Sequence, residues 1–216
     1  MNAPALLRVT IEPPLALVEL DRKLQKNALS MALRDELEAC LAALEGDDGV
    51  KAVILTGGPD CFSAGFDLKE VLATDFSAFG HRAVEFTERT YFFAKPLVTA
   101  VAGPALAGGF DLALSGDVIV AADGAALGLV DRVVPAGELL AAAREAAARF
   151  ARNPLPALLA VKRAARAVLF MDARSAIEHE FGLTAELIAE GSVKAALREY
   201  ARGLGIATPT GEKDGS

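Results

Sequence analysis

The sequence has no tryptophan, two cysteines and two histidines in 216 residues. Two thiols do not build a disulfide framework. With no HExxH or C-x-x-C spacing, no metal site is expected either. Cys40 falls on the apolar face of an expected helix and Cys61 in an expected loop. Both read as reduced thiols of a cytoplasmic protein. Positive charge is also in short supply. Twenty-two Lys and Arg stand against 29 Asp and Glu, for a net charge of −7. That argues against general nucleic-acid or anionic-membrane binding, so any phosphate site must be a local group of basic residues. No apolar run approaches the roughly 20 residues that span a bilayer. The first seven residues lack a basic start and a long apolar stretch, so no signal peptide is expected. There is no internal repeat.

What is present is a hydrophobic fraction of 53%, enough for a sizeable core in one domain or one domain with an appendage. Residues 6–12 and 15–20 read as strands separated by Pro13-Pro14, since proline supplies no ladder donor. Ser30 suits an N-cap. Leu33, Leu37, Cys40, Leu41 and Leu44 then recur at helical spacing up to Gly46. Residues 50–55 form a short β-rich run closed by Thr56-Gly57-Gly58-Pro59. A short helix over 67–72, a longer one after Asp75, a strand over 97–101, a small-residue helix over 106–114, a strand over 118–121 and an apolar run over 130–134 follow. Beyond Glu138 the pattern is helical, with Ala-rich stretches at 139–150 and 156–170. Strands alternating with helices and then helices alone predict an α/β core with a helical C-terminal region. Residues 203–216, rich in Gly, Thr and charge, read as a disordered tail.

Two loops carry the chemistry. Cys61-Phe62-Ser63-Ala64-Gly65-Phe66-Asp67-Leu68-Lys69-Glu70 and Gly103-Pro104-Ala105-Leu106-Ala107-Gly108-Gly109-Phe110-Asp111-Leu112 each follow an expected strand and precede an expected helix. Small residues let backbone approach a ligand. The first N–H groups of a helix lack intrahelical partners and carry the positive end of its dipole. Two such ends side by side can hold one oxyanion.

The first loop closely resembles the F-S-A-G-x-D-[LI]-K-E segment of the enoyl-CoA hydratase/isomerase (crotonase) family, and the second its G-x-A-x-G-G-G-x-E-L segment. Asp21-Arg22-Lys23-Leu24-Gln25-Lys26-Asn27-Ala28-Leu29-Ser30 is similar to its N-R-P-x-x-x-N-A-L-[NS] opening. Leu127-Gly128-Leu129-Val130-Asp131 is similar to its G-L-V-D, and Glu190-Gly191-Ser192 to its late E-G turn. The resemblance implies a spiral of ββα units over residues 1–135 and a helical trimerisation region over 136–202. It also implies a homotrimer or dimer of trimers that binds an acyl-CoA thioester. No separate cofactor is implied, because CoA is part of the substrate. The backbone N–H groups of Phe66 and Gly108 match the family's oxyanion-hole donors, and the adjoining Asp67 and Leu68 are expected among the substrate-binding residues. Ala64 matches the position whose backbone meets the adenine. Lys69, with Lys26 as a second candidate, matches the basic residues near the CoA phosphates.

The chain departs from the family twice. Asp111 stands where hydratases carry their first catalytic Glu, and its carboxylate reaches one methylene less far. After Asp123 the sequence runs through Gly124-Ala125-Ala126 directly into Leu127-Gly128, so the second catalytic Glu has no counterpart. Either segments are deleted there or the chain is interrupted near Ala125 and Ala126. The leading expectation is an enoyl-CoA hydratase or isomerase of fatty-acid metabolism, with Asp111 as acid/base. The alternative is a catalytically impaired acyl-CoA-binding relative. A serine peptidase built on Ser63, Ser115 and His81 is disfavoured, because no G-x-S-x-G elbow is present.

Overall fold

The structure is a computed structural model. It describes residues 5–73, 75–125 and 130–167, and beyond them residues 175, 179, 182, 183 and 186. The junction at Ala126, the G-L-V-D start at 127–129, the E-G turn and the tail over 203–216 lie outside the described residues, as does most of the chain after residue 167. The chain divides into two compact units, Met1–Asn153 and Pro154–Ser216.

In the first unit, β1 (Leu7–Glu12) and β2 (Leu15–Leu20) form an antiparallel hairpin. β3 (Ala52–Thr56), β4 (Leu97–Val101), β5 (Val118–Ala122) and β6 (Arg132–Val134) then add in sequence order, all parallel. β3 and β4 are buried at every residue, as expected for parallel strands with helices on both faces. The side-chain period of two divides them. Val53, Leu55, Leu97 and Val101 join one core with α1 (Met31–Glu45), α3 (Phe76–Tyr91) and α4 (Gly108–Leu114). Ala52, Ile54, Val98 and Ala100 join the other with α5 (Leu139–Ala151). α2 (Leu68–Ala73) follows the first chemistry-bearing loop.

Local signals set the helix ends. Ser30 caps α1, its Oγ accepting from the Leu33 N–H at 3.3 Å. The stripe Leu33, Leu37, Leu41 and Leu44 is buried, worth about 1.5–3 kcal/mol per leucine. At the far end, buried Lys95 donates from Nζ to the carbonyls of Leu44 and Asp47, both at 2.6 Å. Burial lowers the pKa of this ammonium below the usual lysine value. Asp75 Oδ1 accepts from the Ala78 N–H at 3.0 Å and starts α3.

Two expectations change. The small-residue helix begins at Gly108 rather than 106, because Ala107 sits at φ 46°, ψ −123°, outside helical space. The short helix expected over 67–72 runs over Leu68–Ala73 as α2, and Phe66 ahead of it pairs in an isolated parallel bridge with Leu29 rather than joining a helix end. The Ala-rich face of α5 packs on β3, β4 and β5, with Leu139, Ala142, Ala143 and Ala147 buried. That face is therefore covered within the chain and does not require a partner subunit. In the second unit, α6 (Leu155–Ala167) is opened by the Leu158 N–H on the Pro154 carbonyl.

Candidate functional site

Three segments lie side by side beyond the carboxyl ends of β3 and β4. The segment after Asp21 meets the first loop through the Ala64 N–H on Lys26 O (2.9 Å), the Leu29 N–H on Gly65 O (2.7 Å) and the Leu29↔Phe66 bridge. The first loop meets the second through the Phe62 and Ser63 N–H groups on Pro104 O, the Leu106 N–H on Ser63 O (3.0 Å) and the Ser63↔Ala105 bridge.

Asn27 ties this assembly together. It is buried, and Nδ2 lies within hydrogen-bond distance of the carbonyls of Gly57 (2.8 Å), Cys61 (3.0 Å) and Phe62 (3.2 Å). Its Oδ1 accepts from the Arg22 N–H at 3.0 Å. Asn27 holds φ 53°, a left-handed conformation that Asn tolerates better than most residues. Buried Ser63 donates from Oγ to Asn27 O at 2.8 Å and accepts from the Gly65 N–H at 3.1 Å. Arg22 pairs with Asp67 at 2.7 Å and also donates to Ala28 O. The hydrogen bond from Arg22, helped by the Lys69 and Glu70 N–H groups, holds the Asp67 carboxyl below the usual carboxylate range against its partial burial.

The two loops touch at their glycines. A Cβ on Gly65 would lie 2.6 Å from Leu106 O and 3.4 Å from the Gly108 nitrogen. A Cβ on Gly108 would lie 2.6–2.8 Å from three ring carbons of Phe66. The Phe66 ring therefore packs directly on the Gly108 backbone. Among the described residues, neither the Phe66 N–H nor the Gly108 N–H has an acceptor. The same ring meets Phe79 edge-on, with centroids 5.2 Å apart. Above both rings lies the guanidinium of Arg34, 5.4 Å from the Phe66 centroid and 5.6 Å from that of Phe79. Arg34 is 2% exposed; among the described residues its Nε has no partner, and its one ion-pair contact is Glu70 at 4.0 Å. Glu70 is itself bonded to the Met31 N–H at 2.7 Å. Burial, opposed most by Glu70, lowers the pKa of the Arg34 guanidinium below the usual arginine value.

The remaining expected residues are placed as follows. Ala64 is half-buried, with its N–H spent on Lys26 O. Asp67 is buried against Arg22, while Leu68 is 73% exposed at the start of α2. Lys69 is exposed. Lys26 is exposed and lines an open cavity of about 200 Å³ with Lys23, Asn27, Asp60, Cys61 and Pro104 among others. Asp111 is exposed on α4, three residues after Gly108. Sequence reasoning missed Asn27, Arg22 and Arg34 as site-building residues. The N-A-L match and the Arg22 position in the opening motif carried a signal for the first two; nothing local marked the third. Among the described residues, no group of His, Cys, Asp and Glu could hold a metal ion, and no helix is long and apolar enough to cross a membrane.

Residues 10–127 match the sequence model of the family described as enoyl-CoA hydratase/isomerase. A probable enoyl-CoA hydratase of Bacillus subtilis is 40% identical over 107 residues, 48% of this chain and 42% of that protein. The 4-chlorobenzoyl coenzyme A dehalogenase-2 of an Arthrobacter species is 32% identical over 203 residues, 90% of this chain and 70% of that protein. The chain spans less than half the length of the Bacillus relative and of a probable enoyl-CoA hydratase from Rhizobium meliloti. Among solved structures, an enoyl-CoA hydratase of Bacillus anthracis superposes with a TM-score of 0.84 at 24% identity, over 92% of this chain and 97% of that one. An enoyl-CoA hydratase of Mycobacterium tuberculosis gives a TM-score of 0.77 at 26% identity, over 89% and 96%. The fold is thus α/β and crotonase-like.

Proposed function

The chain belongs to the enoyl-CoA hydratase/isomerase family, and from that premise we propose that it is an acyl-CoA-processing enzyme that polarises a thioester carbonyl between the N–H groups of Phe66 and Gly108. The observation that carries the reading is the contact between the two loops, with both N–H groups left without an acceptor among the described residues. As a proton leaves or joins the α-carbon, charge builds on the thioester oxygen. Fixed backbone donors need no reorganisation to meet it, and loss of one such donor costs about 2.7–4 kcal/mol in comparable sites. Asp111 is the acid/base group: it follows Gly108 by three residues on α4, which puts it near the same face of the helix. Lys69 and Lys26 take the CoA phosphates, and Ala64 gives its backbone to the adenine. Asp67, paired with Arg22, braces the first loop, and Leu68 borders the acyl chain.

The proposed organisation is a ββα spiral over residues 1–135, a helical trimerisation region over 136–202 and a tail over 203–216, assembled in the cytoplasm as a trimer or dimer of trimers. Hydration needs two proton-transfer groups, whereas double-bond isomerisation can shuttle a proton through one carboxylate, so isomerisation is the favoured reaction. The absence of a counterpart to the second Glu supports a second reading, an acyl-CoA binder without turnover.

The test is crotonyl-CoA hydration and 3-enoyl-CoA isomerisation by the 216-residue chain and its Asp111→Ala variant, with CoA-thioester binding measured by calorimetry. Isomerisation is expected to exceed hydration and to fall about 10²–10⁴-fold in the variant. Strong hydration indifferent to Asp111→Ala refutes the acid/base assignment. Binding with neither reaction selects the second reading.

A further inference from the structure

We infer that Arg34 is a positioning residue that fixes the Phe66 ring and, through it, the spacing of the two backbone donors; this rests on the oxyanion-hole reading above. Arg34 lies on α1, and its side chain has almost no exposure. A buried guanidinium is ordinarily surrounded by acceptors, because its desolvation must be offset by hydrogen bonds. Among the described residues Nε has none, and Glu70, at 4.0 Å, is already committed to the Met31 N–H. What Arg34 does have is two aromatic faces, those of Phe66 and Phe79. A cation over a ring is attracted to the ring's electron-rich face, more strongly out of water.

The Phe66 ring is thereby held at three places: by the guanidinium, by the edge-on contact with Phe79, and by the Gly108 backbone it rests on. Its own N–H is one proposed donor, and Gly108 carries the other. The ring is the spacer between this segment and Gly108, so a ring that shifts lets the two segments, and the two donors they carry, move relative to one another. Arg34 touches neither substrate nor reacting atom in this account; it acts through Phe66.

The experiment compares the parent chain with Arg34→Met and Arg34→Lys, using cinnamoyl-CoA as a chromophoric probe. Its absorption moves to longer wavelength when donors polarise the carbonyl, with no turnover needed. Arg34→Met is expected to be at least as resistant to urea as the parent, because an apolar side chain replaces a buried, poorly bonded cation. It should bind the probe within about threefold of the parent, lose about half or more of the shift, and show kcat reduced about tenfold with KM little changed. Arg34→Lys, which keeps a cation at the rings, should recover part of the shift. A residue with a purely structural role would lower stability and leave the shift of the folded fraction intact, and that result overturns the inference. Should Arg34→Met not fold, Phe79→Leu removes one arm of the clamp with the charge in place; an undiminished shift there also overturns it. A parent chain that binds the probe without any shift refutes the oxyanion-hole reading, and the role of Arg34 with it.

Discussion

Replacing Gly65 by alanine should separate folding from function in a measurable way. Gly65 holds φ +90°, where a side chain costs about 1–3 kcal/mol. The new Cβ would stand 2.6 Å from Leu106 O and 3.2 Å from Ala107 Cβ. The oxygen belongs to the backbone and cannot rotate aside, so the two loops must part by several tenths of an ångström. Overpacking of this kind adds about 1–3 kcal/mol. A total of about 2–6 kcal/mol is a large share of a typical 5–15 kcal/mol stability, and a chain near the middle of that range stays folded. The displaced atoms lie next to the Gly108 nitrogen, 3.4 Å from the new Cβ, so the donor spacing changes with them. Loss of one donor's alignment predicts kcat lower by about 10²–10³, with a smaller change in KM. Urea denaturation and isomerisation kinetics of the same preparations test this, with Gly80→Ala as control. A Cβ at Gly80, within α3, meets nothing within 4 Å, so that variant should gain about 0.5–1 kcal/mol. If Gly65→Ala is as stable and as active as Gly80→Ala, the packed-loop account of the site is wrong.

Two further outcomes follow from the scaffold. Asn27→Ala removes the Nδ2 donor near three carbonyls and strands the Arg22 N–H; at about 1–3 kcal/mol for each buried group left unsatisfied, its thermal midpoint by circular dichroism should fall sharply, and an unchanged midpoint refutes the bracing role. Asp67 has its folded pKa depressed, chiefly by Arg22, so the stability it contributes is present above the ordinary carboxylate pKa near 4 and drains away as pH falls through the depressed value; Asp67→Asn should flatten the acid limb of a urea-midpoint profile below about pH 4, and an unaltered limb counts against the ion pair.

Which parts of this molecule were legible in the sequence follows from how far their causes reach. The strands β2 to β5 and the helix α1 were readable because period, capping and punctuation act within a few residues: Ser30 caps what the leucine stripe continues, and Thr56 ends a run buried at each residue. The two loops were also readable as a pair of small-residue turns after strands. The start of α4 was placed two residues early, because the positive φ of Ala107 comes from neighbouring loop contacts rather than from alanine's own preference. Arg34 was invisible for a related reason. As an arginine beside Leu33 on an amphipathic helix it reads as a solvated position, and its burial follows only from where Phe66 and Phe79 come to rest.

Asn27 shows the same principle from the other side. Its motif was recognisable, but its acceptors, Gly57, Cys61 and Phe62, lie 30 to 35 residues away in sequence, so no local pattern reports them. Ser63, Gly65 and Gly108 are bound to the same arrangement. One side chain therefore spans the exit from β3, the first loop and the opening segment at once, and the second loop hangs on the first through Pro104 and Leu106. The proposed donors are carried by the two segments that this network joins. Their spacing is in that sense a tertiary quantity, set by groups other than the donors themselves, and substitutions at Asn27, Ser63 or Arg22 should reach the chemistry by way of it.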